Sequence, residues 1–198
     1  RLARSKGERS PGEKTPYVSR PLYARPHARG QKLFHPFALN TLLDGQSIGE
    51  VVAFNHPDFK TGDYIAGFSG WREHSIAQGS DLNPIDPQIA PLQTFLGTLG
   101  MPGMTAYVGL LDIGRPVAGE TVFVSAASGA VGSIVGQIAK IKGCRTIGSA
   151  GSDEKVAWLV DEAGFDAAFN YRRIDNFNTE LARHCPDGID VYFDNVGG

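Results

Sequence analysis

Gly129-Ala130-Val131-Gly132 is the stretch best suited to receive an anion. Its two glycines let backbone N–H groups approach a pyrophosphate at points where a side chain would stand in the way. Further along, Lys155 offers an ammonium group, Tyr171 an aromatic hydroxyl, and Asn195 an amide that both donates and accepts. These are the groups that a dinucleotide site requires.

Such groups need elements to hold them. Thr121, Val122, Phe123 and Val124 read as a continuous apolar strand, the kind buried on both faces of a parallel sheet. The small-residue turn 126–132 follows, and then Ile134, Ile138 and Ile141 recur at helical spacing with Val135 and Ala139 alongside, which predicts a helix packing that face on the sheet. Gly136, one turn past Gly132, fits a close approach of helix and strand. The helix start carries the positive end of its dipole toward the anion. A glycine turn alone is weak evidence, because many helices begin with small residues for packing. The strand before it and the helix after it favour a nucleotide.

The next strand, 145–150, tells which nucleotide. A site for NADH usually ends this strand in Asp or Glu, which binds the ribose hydroxyls. Here the tip is Gly148-Ser149-Ala150-Gly151-Ser152, with Lys155 just beyond it at a helix start. No carboxylate repels a 2′-phosphate there and a cation stands ready, so NADPH is the expected cofactor. The plainer reading of Lys155 is a solvated helix residue. Asp153 and Glu154 read as first-turn charges behind a Ser152 cap.

Composition sets outer bounds. The chain has 198 residues and a net charge of −2, which gives no reason to expect a nucleic-acid or membrane partner. Two cysteines, Cys144 and Cys185, fit a reducing compartment and a cytoplasmic location, and no apolar run is long enough to span a bilayer. A first residue other than Met and an end just past a strand predict a fragment of a longer protein.

Residues 1–29 are rich in Arg, Lys and Pro and are read as a poorly ordered lead-in rather than a phosphate-gripping arm. Residues 37–71 show turns leading into short strands, with 71–76 as a further strand, so a small barrel-like β domain is expected. His56 and His74 fall there without a second Cys or His at ligand spacing, and no metal site is expected. Residues 83–91 read as a connector. Residues 93–113 have helical character that should break into two helices at Pro102, which makes Thr105 and Tyr107 candidates to face the cofactor or simply to pack. The helix after Lys155 should bury Val156, Leu159 and Val160 and end at Gly164 in a left-handed cap. A strand at 166–171, a helix at 176–185 and a strand at 189–193 complete the pattern. Tyr171 is read either against the adenosine half of the cofactor or as an exposed strand-end residue. Asn195 lies at the carboxyl edge, where α/β sheets bind ligands, and is placed near the nicotinamide half.

Taken together, 99–107, 124–133, 151–155, 164–171 and 194–198 resemble the zinc-independent branch of the medium-chain dehydrogenase/reductase superfamily, in particular the prostaglandin reductase and alkenal double-bond reductase family. The resemblance implies an α/β chain: a partial GroES-like β-barrel over 1–98, then the first half of a Rossmann domain, a doubly wound parallel sheet, over 99–198. It implies that Gly129, Ala130, Val131 and Gly132 hold the pyrophosphate of NADPH, that Lys155 and Tyr171 hold its 2′-phosphate end, and that Asn195 meets the cofactor further along. The implied reaction is hydride transfer to the β-carbon of an α,β-unsaturated ketone or aldehyde, without a metal, in a homodimeric parent protein. Residues 17–25 echo a family segment but lack its Asp-Pro and Met. The family's later strands and its Tyr near the substrate carbonyl have no counterpart, so no catalytic acid is assigned. A quinone reductase on the same scaffold and a non-catalytic nucleotide-binding fragment are the alternatives.

Overall fold

The computed structural model describes residues 12–17 as backbone, 41–43 and 45–196. The chain divides into two compact units between Leu96 and Gly97. Most of the basic lead-in, residues 18–25 of the family-like segment, and Gly197 and Gly198 lie outside the described residues.

The first unit holds a five-stranded antiparallel sheet in the order β4-β1-β2-β3-β5. Its strands are β1 (Gly12–Tyr17), β2 (Ser47–Val51), β3 (Tyr64–Gly67), β4 (His74–Ile76) and β5 (Asn83–Ile85). Pairing of Ile48 with Ala66 and of Gly49 with Ile65 sets the β2–β3 register. Both faces are covered. Ile48, Ala66 and Ile85 pack with Leu92, Phe95 and Leu96, whereas Val51, Phe59 and Ile65 pack with Leu82.

Two expectations change here. The lead-in contains a strand, β1, which pairs with β2 and β4; Pro16 and a register shift between Lys14 and Tyr17 break the alternation that would have announced it. The expected connector contains β5, an edge strand, where the missing N–H of Pro84 removes no ladder bond that the sheet needs.

In the second unit, four parallel strands run in the order β8-β7-β6-β9. These are β6 (Thr121–Val124), β7 (Arg145–Ala150), β8 (Ala167–Asn170) and β9 (Val191–Phe193). The helices are α1 (Met101–Tyr107), α2 (Ala130–Ile141), α3 (Asp153–Asp161) and α4 (Phe177–His184). Val122, Val124, Val135, Leu159 and Phe165 share one core, while Phe123, Ile147, Phe169 and Cys185 form another with Leu181 of α4. Neighbouring β6 residues thus feed different cores, as a sheet wound on both faces requires. All four residues of β6 are buried, as its sequence predicts.

Helix faces are where sequence and structure part. The buried stripe of α2 is Gly132, Val135, Gly136 and Ala139. Ile134 and Ile138 only flank it, and Ile141 is 84% exposed. The reason is proximity: a Cβ on Gly136 would lie 2.0 Å from Cζ of Phe165, so a ring, not a strand, fills the space. Likewise α3 buries Leu159 fully, but Val160 faces outward. Gly164 has φ +75°, the left-handed conformation expected after that helix.

The 93–113 segment does break into two helical pieces, a 3-10 helix at Leu92–Leu96 and α1, but Pro102 is not the residue between them. It lies in the first turn of α1, where its missing N–H has no acceptor to lose. The interruption precedes it, with the amides of Gly100 and Gly103 donating to Gly97 O. A second change follows Tyr107, where residues Val108–Gly114 widen into a π-helix.

Candidate cofactor site

The turn from β6 to α2 is held almost entirely by backbone. Ala126 takes φ +46°, an unusual value for a residue with a Cβ. The Ala127 amide donates to Ser149 O of β7 at 2.9 Å, and the Gly129 amide donates to Ala126 O at 2.8 Å. Gly129 is the N-cap of α2 in extended conformation, with no capping side chain. The first intrahelical bond runs from Ser133 N to Gly129 O at 3.0 Å. Hence the amides of Ala130, Val131 and Gly132 have no acceptor within the helix. The starts of α3 and α4 differ: Ser152 Oγ and Asn176 Oδ1 accept from the amides of Lys155 and Thr179.

A Cβ on Gly132 would lie 2.6 Å from Ala126 O and 2.9 Å from Ala127 Cα. The turn's own backbone therefore demands glycine there, before any ligand is considered. A tight turn whose three first-turn amides have no partner among the described residues is a cradle for an anion. Sequence reading missed Ala126, whose carbonyl organises both glycines, because nothing in an alanine announces a left-handed turn.

At the carboxyl end of β7 the chain crowds. A Cβ on Gly151 would meet Tyr171 Oη at 2.8 Å, so the phenol folds over this glycine. The Tyr171 amide donates to Ala150 O, which ties the end of β8 to the end of β7. Lys155 occupies the first turn of α3, with its side chain exposed and in no ion pair among the described residues. It lines an open surface cleft together with Ser128 of the β6–α2 turn, Trp158 and the carboxylates Glu154, Asp161 and Glu162. Asp153, the carboxylate nearest the strand tip in sequence, is engaged elsewhere: Asn170 Nδ2 donates to it at 2.7 Å and Arg173 pairs with it at 2.5 Å.

Asn195 follows β9, which lies beside β6 where the strand order reverses. Its amide donates to Ser125 Oγ at 3.2 Å and its side chain is exposed at the carboxyl edge. All four parallel strands end on this edge. The turn, the β7 tip with Lys155 and Tyr171, and Asn195 are therefore arrayed along one rim, outside the carboxyl ends where α/β folds take ligands. Nearby, burial pushes the Tyr192 phenol above its ordinary range, an effect that the Ser125 hydroxyl opposes and the Asp194 carboxylate adds to.

Among the remaining candidates, Thr105 Oγ1 donates back to Met101 O at 2.8 Å within its own helix, and Tyr107 is an exposed residue of the same helix. His74 is exposed and His56 half-buried beside Asp58. Among the described residues no group of three or more His, Cys, Asp or Glu side chains is placed to hold a metal ion.

Comparison with known proteins follows the same division. Residues 13–85 match a family described as the N-terminal domain of oxidoreductase, and residues 130–198 one described as zinc-binding dehydrogenase. The chain is 52% identical to prostaglandin reductase 1 of Bos taurus over 160 residues, covering 79% of this chain and 48% of that protein. It is 49% identical to the NADP(+)-dependent 2-alkenal reductase of Nicotiana tabacum over 163 residues, 82% of this chain and 48% of the relative. In sequence the chain is similar to the prostaglandin reductase and alkenal reductase family.

In structure, the crystal structure of CurA from Vibrio vulnificus in complex with NADPH superposes with a TM-score of 0.77 at 38% identity. The match covers 96% of this chain and 55% of CurA. This likeness makes the antiparallel unit GroES-like and the parallel unit the Rossmann half of a medium-chain dehydrogenase/reductase. The chain spans about half the length of the curated relatives it matches.

Proposed function

We propose that this chain is the cofactor-binding part of an NADPH-dependent oxidoreductase that reduces the carbon–carbon double bond of α,β-unsaturated ketones or aldehydes. The observation that carries the reading is the uncapped first turn of α2, where the amides of Ala130, Val131 and Gly132 lie open at the end of β6. These amides and Gly129 would hold the pyrophosphate. Lys155 and Tyr171 would take the 2′-phosphate, and Asn195 would lie toward the nicotinamide. When bound, NADPH supplies a hydride to the substrate β-carbon, and the α-carbon takes a proton.

The chain's own residues contribute binding and orientation. The α2 dipole and three amides offset pyrophosphate charge at a fixed position. The Lys155 ammonium adds a charge that only the 2′-phosphorylated cofactor answers. With Asp153 held by Arg173 and Asn170, the turn presents no unpaired carboxylate from that residue. The enolate formed at the substrate requires a donor near its oxygen, and none of the residues described above is assigned that role. On the same reading, drawn from the family likeness, the full-length protein is a zinc-independent, cytoplasmic homodimer that takes a small-molecule substrate and has no nucleic-acid or membrane partner. Sedimentation and metal analysis test the oligomer and the metal.

The test is consumption of NADPH by the full-length protein with a short 2-alkenal. Turnover with quinones alone would move the reading to a quinone reductase, and binding without any turnover would move it to a non-catalytic nucleotide binder. K155A should weaken NADPH by about tenfold, the scale of one charge-assisted contact, and leave NADH almost unchanged. Equal losses for both cofactors would remove Lys155 from the 2′-phosphate.

A further inference from the structure

Arg172 is a cation at the β7 tip that the sequence did not single out. Its Nε stands 3.4 Å from the position a Cβ would take on Gly151, beside the Tyr171 hydroxyl at 2.8 Å from that same point. Its guanidinium carbon lies 5.9 Å from the centre of the Tyr171 ring. Two donors from consecutive residues thus converge on one glycine. The backbone fixes this geometry: the Arg172 amide donates to Asn170 Oδ1 at 3.0 Å, and the Tyr171 amide to Ala150 O at 3.1 Å.

The neighbouring charges set Arg172 apart. Arg173 is committed to Asp153, which Asn170 also holds. Among the described residues Arg172 forms no ion pair, so its guanidinium keeps its charge for a ligand. A guanidinium fork presents paired N–H groups that match a phosphate dianion, whereas an ammonium acts as a point charge.

We propose that Arg172 is a specificity-determining residue that grips the 2′-phosphate of NADPH together with the Tyr171 hydroxyl across Gly151, in addition to Lys155. The proposal rests on the NADPH reading above and extends it to a residue outside that set. Gly151 belongs to the same device, because a methyl group there displaces the phenol from the position it shares with the guanidinium. Asp153 is paired with Arg173 and accepts from Asn170.

The experiment is calorimetric titration of the full-length protein with 2′,5′-ADP and 5′-ADP, fragments that differ only in the 2′-phosphate, at two salt concentrations. Wild type should prefer 2′,5′-ADP. R172Q should lower the affinity for 2′,5′-ADP by about tenfold, change that for 5′-ADP by less than about twofold, and lose part of the salt dependence. R172K should recover part of the loss, since charge returns without the fork. G151A should reproduce much of the R172Q effect through Tyr171. The Arg172 side chain is exposed, so an unchanged melting temperature for R172Q shows that the fold is intact. Equal affinity losses for both fragments, or no loss for either, would overturn the role of Arg172. A wild type without preference between the fragments would overturn the NADPH reading beneath it.

Discussion

The Ser125 hydroxyl donates to Oδ1 of Asp194 at 2.5 Å and accepts from the Asn195 amide at 3.2 Å. One side chain at the end of β6 thereby fixes the segment that leaves β9. Asp194 Oδ1 also accepts from the Val196 amide at 3.1 Å, which closes a small turn on the same carboxylate. The pair spans the point where the strand order reverses, so the position of Asn195 on the rim depends on Ser125.

S125A should release this segment. A hydrogen bond to a charged group contributes about 1.5–3 kcal/mol, and water at the exposed edge replaces part of it, so a loss of about 1–2 kcal/mol is expected. Amide hydrogen exchange at Asn195 and Val196 should quicken by about tenfold. The Tyr192 phenol, already raised by burial, should titrate higher still once the Ser125 hydroxyl that draws it down is gone. Unchanged exchange at both amides would show that β9 pairing alone holds the segment.

Ala126 offers a second test, of strain rather than of bonding. Its φ of +46° costs an L-residue about 1–2 kcal/mol relative to the right-handed region. Glycine removes that cost but loosens the unfolded chain by about 0.4–1 kcal/mol. The balance predicts that A126G stabilises the protein by about 0.5–1 kcal/mol, while A126V, branched at a left-handed position, destabilises it by about 1–3 kcal/mol. Urea midpoints read both. A destabilised A126G would mean that the Ala126 methyl group contributes packing that outweighs its backbone cost.

The two variants also explain what the sequence could and could not say. The parallel strands were legible because each is a short run of strand-forming residues bounded by turns; Thr121–Val124 and Arg145–Ala150 sit where their residues predict. The caps were legible too, since Ser152 and Gly164 have only a few conformations that suit them. The buried face of α2 was not. Periodicity weights large residues, and here small ones face Phe165, a contact made across 29 positions that no local pattern encodes. The strands β1 and β5 were hidden by prolines that a sheet tolerates at an irregularity or an edge. In the candidate site, the residues near the turn could be named from type and spacing. Ala126, Arg172 and the engagement of Asp153 could not, because each depends on which neighbour the fold brings within reach.

Asp166 anchors the start of β8, the strand that leads into Tyr171 and Arg172. Its Oδ2 accepts from the Thr146 amide at 2.6 Å, Lys140 Nζ donates to Oδ1 at 2.7 Å, and its own amide donates to Thr146 O at 3.0 Å. Burial pushes the Asp166 carboxyl up, but the bonds from Lys140 and Thr146 outweigh it and hold the pKa below the ordinary value of 3.8. A carboxylate lowered in the folded state adds stability that is fully present above its unfolded pKa and disappears as pH falls through the folded one. Unfolding free energy should therefore decline below about pH 4 with a contribution from this residue. The side chain is 34% exposed, so D166N is expected to cost only about 1–2 kcal/mol at neutral pH after screening. In D166N that share of the acid decline should vanish. In K140A the folded pKa should move back toward 3.8, with a shallower decline. Urea titrations of the three proteins from pH about 2 to 7 measure this directly, and equal acid slopes for wild type and D166N would show that Asp166 takes no part in holding β8 to β7.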